Sequence, residues 1–182
     1  MCIRDSLTLI TGGVRSGKSA HAQSLAQTAD SQTVFVATAQ AFDEEFARRI
    51  ARHRRDRPTH WQTIEEPQDL AGAVRRAFAT APVVLVDDLT LWVSNRLLHA
   101  APDPAHAEWH ARVEQVEATL LVEVQEVAGA VPDDGRLIVV SQETGWGVVP
   151  PYPLGRAYRD LLGRVNQRVA ARADEVYLMV AG

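Results

Sequence analysis

The chain has 182 residues, of which 46% are hydrophobic and 23% charged, enough apolar material for the core of one compact domain. A formal net charge of −4 gives no overall attraction for nucleic acid or anionic membrane, so anion binding must come from local basic clusters and a small partner is favoured over a polymer. No apolar run approaches the roughly 20 residues that span a bilayer, and the N-terminus lacks the charged-then-apolar order of a signal peptide, so a cytoplasmic protein is expected.

Residues 1–6, MCIRDS, form no recognisable element and read as a non-structural or non-native start. They include Cys2, the one cysteine, which can form no internal disulfide or thiolate cluster. Residues 7–182 read as a single domain. Residues 7–11 form a short strand that leads through glycines into a helix over 19–29. A buried strand follows at 33–37, then a helix over 43–57 with three acids in its first turn and Pro58 at its end. Another helix is predicted over 67–80. An apolar strand at 83–86 ends at Asp87, a long helix covers 104–128, and a strand at 137–140 ends at Ser141. A loop over 142–153, a helix over 154–173 and a strand at 175–180 close the chain. Alternating strands and helices predict a mainly parallel α/β sheet with ligands at the carboxyl ends of the strands.

Gly12-Gly13-Val14-Arg15-Ser16-Gly17-Lys18-Ser19 satisfies G-x-x-x-x-G-K-[ST] between a predicted strand and a predicted helix, the context this motif requires. The glycines let backbone N–H groups converge on phosphate oxygens at a helix N-terminus. Lys18 is the only lysine among nineteen basic residues, and its compact charge reaches β- and γ-phosphates where an arginine fork fits less well. Ser19 offers a hydroxyl to Mg²⁺. Asp87, at a strand end, is the natural acid to hold Mg²⁺ through water, against the plainer reading of a turn residue; Asp88 beside it is the weaker candidate.

The segment RIARHRRDRP, residues 49–58, sets His53 among five arginines. On a helix, Glu44 and Arg48, Glu45 and Arg49, and Arg52 and Asp56 pair at i,i+4. Arg54, Arg55 and Arg57 lack such local partners and form a positive patch suited to a triphosphate. Neighbouring positive charge favours a neutral imidazole, the form able to attack phosphorus. Spacing alone leaves two readings of His53, a nucleophile and a solvent-facing helical histidine.

TGGVRSGKS, VATAQAFDEEFARRIARHRRDRP, HWQTIEEP, VDDLTLWVSN, ETGWGVVP and GRVNQRVAARADEVYL, in that order, resemble the bifunctional adenosylcobinamide kinase/adenosylcobinamide-phosphate guanylyltransferase family of cobalamin biosynthesis. The resemblance runs from Leu7 nearly to the end. It implies a RecA-like P-loop fold, a homotrimer, and phosphorylation of adenosylcobinamide by a nucleoside triphosphate, ATP or GTP. It also implies a second step in which a histidine matching His53 takes GMP from GTP, releases pyrophosphate, and passes GMP to adenosylcobinamide phosphate. The nucleotide contacts so implied are the loop Gly12, Gly13, Val14, Arg15, Ser16, Gly17, Lys18 and Ser19, then Ala37, Thr38 and Ala39, Arg54, Arg55, Asp56 and Arg57, and Glu65 and Asp87. Glu66 competes with Glu65. Ser19 and Asp87 are the implied Mg²⁺ ligands, with His53 and Lys18 catalytic.

Two features depart from the family pattern. Gln142 stands where asparagine is usual before Glu143, and Pro150-Pro151-Tyr152-Pro153 replaces a more polar run, in the loop where the corrinoid is expected. Trp146 there either stacks on a flat ligand or packs, whereas Trp61 and Trp92 read as core. The rival functions are a small-molecule P-loop kinase without guanylyl transfer and a nucleotide-binding switch, the latter opposed by the lack of an N-K-x-D motif.

Overall fold

The computed structural model describes residues 6–28, 32–41, 43–55 and 57–182. Its elements in order are β1 (Ser6–Gly12), α1 (Lys18–Gln27), β2 (Thr33–Ala37), α2 (Glu44–Arg55), β3 (Gln62–Glu65), α3 (Leu70–Phe78), β4 (Val83–Asp87), α4 (Leu89–Ala100), α5 (Trp109–Gly129), β5 (Arg136–Val140), α6 (Pro153–Ala170) and β6 (Glu175–Met179). The six strands form one all-parallel sheet in the order β3-β2-β4-β5-β1-β6. One strand, β5, separates β1 from β4, which is the RecA-like arrangement of a P-loop fold.

Alternation along each strand builds two cores. Leu9, Val36, Val86 and Val139 face one side, where α3, α4, α5 and α6 cover them with Trp92, Leu97, Leu120 and Leu162. Ile10, Phe35, Leu85, Ile138 and Val140 face the other, against Ala22 and Ala26 of α1. The small α1 residues let that helix approach the sheet closely. Both Trp61 and Trp92 are buried, as the sequence reading expected, and the Trp92 indole N–H donates to the Gln68 carbonyl at 3.0 Å. Between the covering helices, Arg96 of α4 forms a shielded ion pair with Glu123 of α5, whose other oxygen accepts from the Ala71 N–H at 3.2 Å.

The structure changes several boundaries. β1 begins at Ser6, inside the stretch expected to lack structure, because Ser6 pairs with Arg136; residues 1–5 lie outside the described residues. α2 stops at Arg55 and α3 starts at Leu70, where the Asp69 side chain caps the Gly72 N–H at 2.9 Å. Two elements were not anticipated: edge strand β3, and α4, which starts directly after β4. The long helix begins at Trp109 rather than at 104. No helix is long and apolar enough to cross a membrane among the described residues.

Candidate nucleotide site

The carboxyl ends of the parallel strands lie in register. Glu65 pairs with Ala37, Ala37 with Asp87, and Asp87 with Val140. Since in-register parallel neighbours share a face, the two carboxylates stand on the α1 side of the sheet, on either side of the short Ala37. Beside them the chain leaves β1 through the glycine loop. Gly12 has φ +147° and Gly17 φ +93°, conformations L side chains rarely adopt, and a Cβ on Gly12 would lie 2.1 Å from the Met179 carbonyl oxygen. Gly17 caps α1 with no side-chain hydrogen bond and no acid follows in the first turn, so the positive end of the helix has no built-in counter-charge.

These features enclose a cavity of about 330 Å³. Val14, Arg15, Ser16, Gly17, Lys18 and Ser19 form one wall, and Ala37, Ala39, Glu65 and Asp87 the strand-end wall, while Ile50 and Arg54 of α2 together with Arg57 close the third side. Lys18 is buried, and its ammonium donates to the Gly13 carbonyl at 2.5 Å and to the Ser16 hydroxyl at 3.5 Å. Burial lowers its pKa, while Asp88 and Asp87 oppose that shift. Arg54 forms an ion pair with Glu65, bridging α2 and β3. Arg57 lies over the Phe35 ring at 3.7 Å. Burial lowers its pKa too, opposed by Asp87 and Glu65 and reinforced by Arg54. Acids and cations alternate around the cavity.

Not every residue of the sequence-derived set reaches it. Gly12 and Gly13 shape the loop without lining the cavity, and Arg55 is exposed outside it. Thr38 is fully buried and turned away: its hydroxyl bonds to both backbone atoms of Asp88. Position 53 is helical within α2, between Ile50 and Arg54, and its side chain lies outside the described residues, as does the whole of Asp56. The two neighbouring glutamates are placed differently. Glu65 lines the cavity, whereas Glu66 accepts from the N–H groups of Gln68 and Asp69 at 3.1 Å each and pairs with Arg76 at 3.2 Å.

Asp88 was the weaker acid in the sequence, yet it also borders the cavity. Its carboxylate caps α4 by accepting from the Leu91 N–H at 2.9 Å. Burial and the Asp87 charge raise its pKa to about 6, against hydrogen bonds from Leu91, Thr90 and Gln142. An acid before a twelve-residue segment free of Gly and Pro is a helix-start signal that could have revealed both the cap and α4. Gln142, in the loop where the corrinoid is expected, also lines the cavity, and Asn166 donates to its carbonyl at 2.9 Å. Trp146 is 75% exposed and does not pack.

For a divalent ion, the Ser19 hydroxyl and the Asp87 carboxylate in one cavity are oxygen donors of the type a hard cation such as Mg²⁺ takes. The arrangement can bind a polyphosphate and neutralise its charge.

Among known proteins, a family model described as cobinamide kinase / cobinamide phosphate guanyltransferase matches residues 8–182. A Pseudomonas aeruginosa protein named "Bifunctional adenosylcobalamin biosynthesis protein CobP" is 44% identical over 174 residues, covering 96% of this chain and 92% of its own. The Escherichia coli "Bifunctional adenosylcobalamin biosynthesis protein CobU" is 39% identical over 177 residues, covering 97% and 96%. A crystal structure of the RadB recombinase aligns with a TM-score of 0.48 at 17% identity, covering 95% of this chain and 73% of that one. With the family model spanning both the glycine loop and the closing strand, the chain belongs to the cobinamide kinase / cobinamide phosphate guanyltransferase family.

Proposed function

We propose that this chain phosphorylates adenosylcobinamide with ATP or GTP and then guanylylates the product through a GMP carried on His53. The observation that carries the reading is convergence. The phosphate loop, the strand-end acid Asp87, Arg54 of the His53 helix and Arg57 just beyond it border one cavity.

In the kinase step, the loop N–H groups and Lys18 hold the β- and γ-phosphates while the acceptor hydroxyl attacks the γ-phosphorus and the nucleoside diphosphate leaves. Little covalent work is asked of the protein here beyond alignment and charge neutralisation. Mg²⁺ held by Ser19 and Asp87 would add neutralisation of the phosphate oxygens. In the second step a His53 ring nitrogen attacks the α-phosphorus of GTP, forming an N–P bond as the bond to pyrophosphate breaks. A phosphate oxygen of adenosylcobinamide phosphate then displaces the histidine, giving adenosylcobinamide-GDP. The covalent intermediate divides one difficult displacement into two easier ones. Arg54 and Arg57 offset the charge of the departing pyrophosphate, and Glu65 holds the nucleotide by accepting its hydrogen bonds. A homotrimer in the cytoplasm belongs to the same reading, and light scattering of the purified protein checks the oligomer.

Incubation with α-labelled GTP tests the reading. Label should remain on the protein, be lost in acid, and be absent from His53→Ala. A protein that binds GTP tightly and never takes up label would overturn guanylyl transfer and leave a small-molecule kinase.

A further inference from the structure

The loop from β5 to α6 and one face of α6 enclose a second cavity of about 510 Å³, lined among others by Glu143, Thr144, Arg159, Asp160, Gly163 and Gln167. The reaction described above uses none of these side chains. Arg159 has an Nη1 shielded from solvent and without a hydrogen-bond partner, and it takes part in no ion pair among the described residues. A guanidinium N–H left unmatched out of water is costly unless a ligand supplies the acceptor.

We propose that this cavity seats the macrocycle of the acceptor by its amide side chains, an inference that rests on the acceptor assigned above. Its lining mixes carboxylates, guanidinium, hydroxyl and amide. A primary amide presents both N–H donors and a carbonyl acceptor and can use every one of these groups. Glu143 and Asp160 offset the charges of Arg159 and Arg164, the latter already paired with Glu117, so the lining has no net positive charge to draw a phosphate. The ring's flat apolar face has a surface beside the cavity, because Gly145 of the lining is followed by Trp146, 75% exposed, and by Val148, 94% exposed.

The placement also gives the reactive arm the right reach. Arg159 and Asn166 are seven residues apart on α6, about 10 Å along the helix at its usual rise. Asn166 accepts from the Ser141 hydroxyl at 2.6 Å and donates to the Gln142 carbonyl at 2.9 Å, and Gln142 lines the nucleotide cavity. On the other side, the Glu143 N–H donates to the Gly12 carbonyl at 3.1 Å, joining the second cavity to the phosphate loop. A ring held near Arg159 is therefore about two turns of α6 from Asn166, which holds Gln142 at the border of the nucleotide cavity.

Gly163 supplies a test that does not threaten folding. It lies within α6, and a Cβ placed on it meets nothing within 4 Å. Gly163→Leu fills the cavity, and Arg159→Gln removes the unmatched charge. Both should raise KM for cobinamide in the kinase step and for cobinamide phosphate in the guanylyl step, by about tenfold and by similar factors, because the ring is common to both acceptors. Equilibrium binding of cobinamide without nucleotide, read as tryptophan quenching, should weaken in parallel. Label uptake from GTP needs no acceptor and should stay at the wild-type level. Unchanged cobinamide binding in both variants, or a KM rise confined to one half-reaction, would overturn the proposal. Failure of the wild type to take up label while cobinamide binding still weakens in the variants would instead overturn the guanylyl reading and leave this cavity as the ring site.

Discussion

Thr38 grips Asp88 at both backbone atoms: its hydroxyl donates to the Asp88 carbonyl at 2.7 Å and accepts from the Asp88 N–H at 3.0 Å. The ends of β2 and β4 are thereby fastened where Ala37 and Asp87 face the phosphate loop. The Thr38 carbonyl in turn accepts from Asn95 of α4 at 2.8 Å. Thr38 is fully buried, so Thr38→Val keeps the shape, strands the Asp88 N–H away from water and leaves the Asp88 carbonyl only the long bond from the Trp92 N–H at 3.4 Å. We expect a loss of about 2–4 kcal/mol, or on the order of 10 °C in Tm. Thr38→Ser restores the hydroxyl and should stay within about 1.5 kcal/mol of wild type. Thermal unfolding of the three proteins checks this; equal Tm for Val and wild type would show the clasp to be unimportant.

That clasp also shows what the sequence could and could not reveal. The phosphate loop is contiguous, so its glycines, lysine and serine identify it without knowledge of the fold. The role of Thr38 depends on a residue fifty positions away, and the family resemblance alone offered it as a nucleotide contact. β3 escaped notice because QTIE is short and mostly exposed, and only pairing with β2 makes it a strand. α4 escaped because Leu89, Thr90, Trp92 and Val93 are buried around much of the helix, which erases the amphipathic period. Asp87 and Asp88 are the same amino acid side by side, and only their different burial separates them. Glu65 and Glu66 likewise differ only in the partners that the fold brings to them.

Burial of Asp88 predicts a pH dependence. Its folded pKa is raised to about 6 by desolvation first and by the Asp87 charge second. A carboxyl whose folded pKa lies above its unfolded value binds its proton more tightly in the native state. Its contribution is full below the unfolded pKa and is lost as pH rises through about 6. In the presence of EDTA and without nucleotide, Asp88→Asn should therefore be more stable than wild type at pH 7.5. The gain should be on the order of 5 °C in Tm, and it should shrink as pH falls toward 4. Asparagine still caps the Leu91 N–H, so the helix start is kept. Tm measured across this range decides it, and a variant less stable than wild type at every pH would refute the argument.

Glu65 and Glu66 should separate function from stability. The Arg54–Glu65 pair is more than half exposed on both sides, so Glu65→Gln should cost less than about 1 kcal/mol of stability. Losing a charged acceptor in the nucleotide cavity should nonetheless weaken GTP binding by about tenfold or more. Glu66→Gln should do the reverse, because Glu66 holds two backbone N–H groups at the entry to α3 and pairs with Arg76. Its Tm should fall by several degrees while GTP affinity holds. Calorimetric GTP titration beside thermal melts gives both numbers, and parallel behaviour of the two variants would contradict the division.

Gly12 and Gly163 should respond to alanine in opposite directions. Gly12 is the register partner of Met179, with φ +147°, and an added Cβ would lie 2.1 Å from the Met179 backbone oxygen. Backbone cannot yield as a side chain can, so Gly12→Ala must pry β1 from β6 as well as accept a disfavoured conformation. A loss above about 3 kcal/mol is expected, together with loss of the phosphate-loop geometry. Gly163 has open space around it inside a regular helix. There alanine restricts the unfolded chain and suits the helix, for a gain of about 0.5–1 kcal/mol. Urea unfolding of both variants measures the two signs directly. A destabilised Gly163→Ala would mean that α6 is less regular around this position, and a tolerated Gly12→Ala would mean that β1 and β6 are not held together as tightly as their register requires.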